Sequence, residues 1–239
     1  MADQNYIDNV ADTISNQVGV LQQEMVRDLL KLSKDRRFKS IDEFLLAIDQ
    51  LDIEQIVRLK AQNIVNGYTA AHTQILADMT LFGEVTENTL QALTNFSTSS
   101  FADSLGKMGG VIKTEIVKGA LGEATEQGIL QAIQQQAGLS NAQMRTLVTT
   151  GLNDYSASVG KIMIDESPKN EKFRYVGAID DRTRPLCIKI WEAGAMTKKE
   201  IKSRFGSEVF VERGGYNCRH QWFPVEASDE SKDVRTDAG

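Results

Sequence analysis

The first 167 residues of this 239-residue chain contain no proline, and all three prolines (Pro168, Pro185 and Pro224) fall in the last third. Proline lacks a backbone N–H and clashes with the preceding turn, so it breaks helices wherever it falls in their interior. Long helices are therefore open to the first two thirds of the chain in a way that is closed to the remainder. The segment Asp165-Glu166-Ser167-Pro168-Lys169-Asn170 reads as a hinge between two architectures.

Apolar residues at Ile7, Val10, Ile14, Val18, Leu21, Met25, Leu29 and Leu32 follow the spacing 3-4-4-3-4-4-3. That is a helical stripe with an 11-residue component, and it predicts one long amphipathic helix over 5–34. Ser40-Ile41-Asp42-Glu43 is a capping box opening a short helix. Asp52 opens another, expected to run unbroken to Met79 with Ile53, Ile56, Val57, Ile64 and Tyr68 on its packing side. Gly83 and Thr86 mark a separation, and Gly109-Gly110 and Gly119 to Gly122 mark expected interruptions. The patch from Thr94 to Ser100 reads as a polar helix face or a frayed joint, and His72 as a structural residue. Ser140-Asn141-Ala142-Gln143 caps a further helix through Leu147, Val148, Leu152 and Tyr155. The stripes read first as core; one as regular as the first also suits docking on a partner or a second copy.

After Pro168 the period changes. Phe173, Tyr175, Gly177 and Ile179 alternate with Arg174, Val176 and Ala178, which predicts a strand. Thr183 is placed to cap a short helix with Pro185 in its first turn, and on that helix Cys187, Ile190 and Trp191 share a face. Thr197-Lys198-Lys199-Glu200 is a second capping box, and Gly206 suits the end of its helix. Strands are expected at 208–211 and 216–223. The fold class is thus α+β: a mainly helical region over 1–165 suited to partner contacts, a small α+β module over 171–226, and a flexible tail over 227–239.

Charge is unevenly spread. Residues 171–226 carry a net charge of +3 and the remainder −9. This opposes nucleic-acid binding by the whole chain and leaves a local contact to DNA or to an acidic partner open. No apolar run reaches the ~20 residues of a membrane span, and the N-terminus lacks the basic and apolar regions of a signal peptide. Two cysteines are too few for a disulfide scaffold, which points to folding in a reducing cytosol. There is no glycine-rich phosphate loop with a lysine, no HExxH, no GxSxG and no deaminase-type HxE with CxxC, so the reading is of a non-enzyme.

Both cysteines and one of the two histidines fall in two short turns, Asp180 to Cys187 and Gly214 to His220. On the last predicted strand Cys218 and His220 alternate onto one face with Tyr216 and Trp222. If Cys187 faces that strand, two thiolates and an imidazole converge. That is zinc chemistry, with Asp180, Asp181 or water as a fourth ligand. Two buried thiols with a satisfied histidine, or a Cys187–Cys218 disulfide, are the alternatives. Asp181, Arg182, Thr183, Arg184 and Arg219 read as a turn held by an Asp–Arg network, with an anion or phosphate contact as the rival reading.

The pattern Tyr175-Val176-Gly177, Asp181-Arg182-Thr183-Arg184-Pro185, Cys187, Gly214-Gly215-Tyr216-Asn217-Cys218-Arg219-His220, Trp222 and Pro224-Val225 resembles the C-terminal domain of phage minor head proteins, the Mu F-like or head-morphogenesis family. The match covers residues 173–225, with a weaker echo in the helix over 145–153. In many members the positions of Cys187 and His220 hold histidine and cysteine respectively, so the one-histidine, two-cysteine set survives an exchange. The resemblance implies a structural, portal-associated head protein of a tailed phage, incorporated during procapsid assembly in the host cytoplasm. It implies the portal and other head proteins as partners, contact with packaged DNA, and a part in genome retention or delivery. The rival reading is a metal-dependent nuclease or phage-delivered effector that uses the same cluster with Arg182, Arg184 and Arg219 on phosphate.

Overall fold

The computed structural model describes residues 4–33, 38–79, 86–137, 139–215 and 218–225. The expectations at Gly83, at the start of the last strand and in the tail over 227–239 lie outside them. The architecture is a mainly helical chain with one small antiparallel sheet near its C-terminal end. Two compact units divide it, one of residues 2–74 and 91–152, the other of residue 1, 75–90 and 153–239.

In the first unit, α1 (Gln4–Ser33) buries Ile7, Ile14, Val18, Leu21, Met25 and Leu29, the stripe the spacing marks out. It packs on α6 (Glu126–Gln136). Two polar side chains inside the stripe are satisfied by the turn that follows α6. Ser15 Oγ donates to the Asn141 carbonyl at 2.8 Å, and Gln22 Nε2 to the Leu139 carbonyl at 3.0 Å. A buried polar group costs free energy unless bonded, so these contacts fix where α1 meets that turn.

Ser40 caps α2 (Ile41–Gln50) by accepting the Glu43 N–H, while the Glu43 carboxylate takes the N–H of Lys39. The long helix expected from Asp52 is two: α3 (Ile53–Lys60) and α4 (Gln62–Met79) meet at Ala61, whose ψ of −2° departs from the helical value. In contrast, α5 (Glu87–Ala120) runs straight through Gly106, Gly109 and Gly110. Glycine in a helix interior costs about 1 kcal/mol relative to alanine, and here it allows close approach. A Cβ on Gly109 would lie 2.6 Å from Glu54 Cα, and one on Gly106 would lie 2.8–2.9 Å from the Arg58 guanidinium. Those glycines are contact points between α3 and α5, not breaks.

The Ser/Thr patch on α5 is a polar face turned to α4. Buried His72 holds the Tyr68 carbonyl at 2.8 Å through Nδ1 and Ser97 Oγ at 2.9 Å through Nε2, and Ser97 also meets Tyr68 Oη at 3.1 Å. Burial pushes the His72 imidazole below its ordinary value of 6.5, against the weaker opposing pull of the Tyr68 carbonyl. The folded chain therefore holds His72 neutral while the unfolded chain takes up a proton below about pH 6.5. The His72 contribution to stability should be flat with pH above that value and fall below it. Comparing urea midpoints at pH 7.5 and pH 5 for the wild type and for His72→Gln checks this. The variant should lose part of the slope, and an unchanged slope would remove His72 as its source.

In the second unit, α7 (Asn141–Glu166) supplies residues 153–166, and Lys198 Nζ donates to the Asp165 and Ser167 carbonyls at its end. β1 (Lys172–Val176) is the central strand, paired antiparallel with β2 (Met196–Thr197) on one edge and β3 (Gln221–Pro224) on the other. Between them lie α8 (Pro185–Glu192) and α9 (Lys198–Phe205). The capping box of Thr197 and Glu200 is formed, and Gly206 ends α9 at φ +86°. At α8 the cap position is Arg184 rather than Thr183, whose hydroxyl is taken by the preceding turn. Cys187 and Ile190 of α8 are buried, whereas Trp191 is exposed.

The expected strand over 208–211 is instead a 3₁₀ turn, Glu208–Phe210. Its Val-Phe-Val composition favours strand, but its backbone bonds close locally, Val211 N–H on the Glu208 carbonyl at 3.0 Å and Arg213 N–H on the Val209 carbonyl at 3.1 Å. The turn still buries Val209 and Phe210 in a core with Ile164, Phe173, Tyr175, Ile190, Met196, Ile201 and Trp222.

Candidate metal centre

Three elements bring the two sequence turns together. α8 carries Cys187 in its first turn, facing β1. After the 3₁₀ turn the chain reverses at Arg213 (φ +54°), Gly214 and Gly215 (φ +97°), and Cys218 N–H closes the turn on the Gly215 carbonyl at 3.1 Å. Cys218 and His220 then precede β3 in an irregular segment, not in the strand expected for them, yet both turn inward. Cys187 Sγ lies 3.6 Å from Cys218 Sγ, and Cys218 Sγ lies 3.7 Å from His220 Nδ1. All three ligand atoms are within 4.8 Å of one another, and the residues are only 2–3 % exposed. Both cysteines are free.

The donor set can hold a metal ion. A tetrahedral site with bonds near 2.3 Å has edges of about 3.8 Å, close to the observed separations. Glycines wall the cluster. A Cβ on Gly214 would overlap Cys187 Sγ and lie 3.2 Å from Cys218 Sγ; one on Gly177 would lie 2.6 Å from His220 Cδ2. The His220 ring stacks on Tyr175 at 5.1 Å and 8°. Its Nε2 is buried without a partner.

Burial opposes ionisation of Cys218. Hydrogen bonds from His220, from Tyr175 and from the His220 and Gly214 backbone overcome it and bring the thiol down to about 6. Burial and the neighbouring Cys218 sulfur push Cys187 up. One sulfur is thus poised as a thiolate, the form that binds metal.

No family model, no curated protein and no solved structure matches the chain. What it can do is therefore read from the site itself.

Asp180 is not among the converging groups. Its carboxylate takes two hydrogen bonds from Arg219, at 2.8 and 2.6 Å, and others from the Arg182 N–H at 3.0 Å and Thr183 Oγ1 at 3.1 Å. The Arg219 guanidinium holds that carboxyl well below the usual carboxylate range. Thr183 Oγ1 also accepts the Asp180 N–H, and Arg184 Nη1 donates to the Gly214 carbonyl at 3.1 Å, tying one motif turn to the other. Arg182 and Asp181 are exposed. The turn residues thus form a brace around the cluster.

Two residues outside the sequence-level set belong to this environment. Tyr175 Oη lies 3.1 Å from Cys218 Sγ and 3.9 Å from Cys187 Sγ. The strand alternation that buries Phe173 also buries Tyr175, and a buried tyrosine hydroxyl requires a partner; that signal was present in the sequence. Arg213, 5 % exposed, donates to the carbonyls of His220 at 3.4 Å and Asn153 at 3.0 Å. Nothing in the sequence marked it.

Proposed function

We propose that this chain is a minor head protein of a tailed bacteriophage, portal-associated and acting in procapsid assembly, whose C-terminal module is pinned by zinc at Cys187, Cys218 and His220. The observation that carries the reading is convergence. The two segments on which the family resemblance rests, Asp181 to Cys187 and Gly214 to His220, meet in one buried cluster and are braced to each other by Arg184. Zinc is favoured over harder ions because the donors are two sulfurs and an imidazole. Burial of all three donors suits a structural metal, since a hydrolytic one keeps an open, solvent-reached position. The α-helical region offers the surface for portal and head-protein contacts, and no described helix is long and apolar enough to cross a membrane. The mildly basic module is the part suited to touch packaged DNA, and particle and host cytoplasm are its expected locations.

Quantitative mass spectrometry of purified phage particles and procapsids tests the proposal. Peptides of this chain should appear at a few copies per particle, in fixed ratio to the portal. Absence from both would overturn the head-protein reading and turn attention to the nuclease or effector alternative.

A further inference from the structure

We propose that the Tyr175 hydroxyl is the fourth donor of the centre, so that the metal is enclosed by Cys187, Cys218, His220 and Tyr175 with no solvent ligand. This rests on the zinc reading above and goes beyond it by closing the coordination shell with a residue type that metal motifs rarely contain.

Placement comes first. Tyr175 lies on the central strand opposite Trp222, is fully buried, and is fixed by rings on two sides, His220 at 5.1 Å and Trp222 at 4.8 Å. The phenol therefore has one direction to point, and its hydroxyl reaches the two sulfurs and no other described polar atom. A buried tyrosine hydroxyl ordinarily finds a carbonyl or a carboxylate. Here it meets two sulfurs instead, the nearer being Cys218, which accepts its hydrogen bond when no metal is bound. As a coordination edge the arrangement is natural. An oxygen and a sulfur on one tetrahedral metal stand about 3.5 Å apart, and the observed 3.1 and 3.9 Å bracket that value.

Competitors for the position are lacking. Among the described residues no further histidine, cysteine, aspartate or glutamate joins the cluster, and Asp180 is committed to Arg219. Charge is compatible with this assignment. A phenolate beside two thiolates gives a divalent centre one net negative charge, and the buried Arg213 guanidinium, which also feels the Asp154 carboxylate, lies beside it. Binding then releases the phenol proton and any remaining thiol protons to the buffer, and forms two metal–sulfur, one metal–nitrogen and one metal–oxygen bond.

The test uses the full chain, stripped of metal under reducing conditions and titrated with Zn²⁺ and separately with Co²⁺. The wild type should bind one ion and develop an ultraviolet tyrosinate difference band in step with occupancy. Tyr175→Phe keeps the ring and its packing; it should bind on the order of 10–100-fold more weakly, without that band. Its Co²⁺ visible spectrum should shift as solvent enters, and shift again on adding imidazole, to which the wild type should not respond. A wild type that binds Zn²⁺ without a tyrosinate band, or a variant with wild-type affinity and Co²⁺ spectrum, would overturn the proposal and leave the zinc reading intact. Failure of the wild type to bind either ion would overturn both. The wild-type band decides the matter even if the variant does not fold.

Discussion

Cys218→Ser should unfold the C-terminal module while leaving the helicity of residues 2–74 and 91–152 at its wild-type level. Cys218 is the shared corner of the cluster, within 3.6 Å of Cys187 Sγ, 3.7 Å of His220 Nδ1 and 3.1 Å of Tyr175 Oη. Replacing its sulfur removes one of the proposed metal ligands and the partner of three buried groups together. A site held a thousandfold above its dissociation constant contributes about 4 kcal/mol of stability. In a module of this size that is a melting-point change on the order of 15–30 °C. Chelation of the wild type should reproduce most of the effect. The measurements are metal content per chain, near-ultraviolet dichroism of Trp222 and Tyr175, and the thermal melt. A variant that matches the wild type in melt and metal content would remove the metal staple.

Gly109→Ala should destabilise the helical unit by about 1–3 kcal/mol, the usual cost of overpacking, less the gain of up to about 1 kcal/mol in helix propensity. The new methyl would meet Glu54 Cα at 2.6 Å and Glu54 N at 2.8 Å. These are backbone atoms, so α3 and α5 must separate to admit it. Gly67→Ala is the matched control. It lies in α4 with nothing within 4 Å of its Cβ position, and so should gain the propensity term alone. Urea unfolding of the two variants should move the midpoint in opposite directions, and a stabilising Gly109→Ala would refute the close-approach account.

These two glycines also show where sequence reading succeeds and where it fails. A stripe such as that of α1 is periodic because one face is buried, so Ile7 to Leu29 announce both helix and core. Gly109-Gly110 carries no such signal. A glycine that ends a helix and one that lets another backbone approach look alike in one dimension, and only Glu54, 55 residues away in sequence, distinguishes them. The break at Ala61 was invisible for the same reason. The Val-Phe-Val segment after Glu208 failed differently. Its local preference for strand was read correctly, but the folded segment closes its backbone bonds on itself and still places Val209 and Phe210 in the core.

At the centre, the residue types Cys187, Cys218 and His220 were legible because they are scarce and gather in two turns. The strand expected to carry the latter two was not needed to bring them together; the turn at Arg213 to Gly215 does that. Asp180 was a reasonable fourth ligand by chemistry, but Arg219, one residue beyond Cys218, claims its carboxylate. Tyr175 was within reach, since the strand alternation marks it as buried and a buried hydroxyl needs a partner, whereas the role of Arg213 comes only from its burial beside the cluster in the folded chain.

A ribosome making this protein delivers Tyr175 and Cys187 well before Cys218, which follows Cys187 by 31 residues. The helical unit has all its residues once Leu152 has been added, and units of this kind fold as they emerge. The Cys187, Cys218 and His220 cluster cannot close until synthesis has passed His220. With the module pinned by zinc as proposed, a zinc-starved cell would accumulate a half-finished species, its helices formed and the apolar interior around Phe210 and Trp222 still open. Such a chain would be a natural target for proteases. Metal supply would then set how many molecules survive to be assembled, independently of how many are translated.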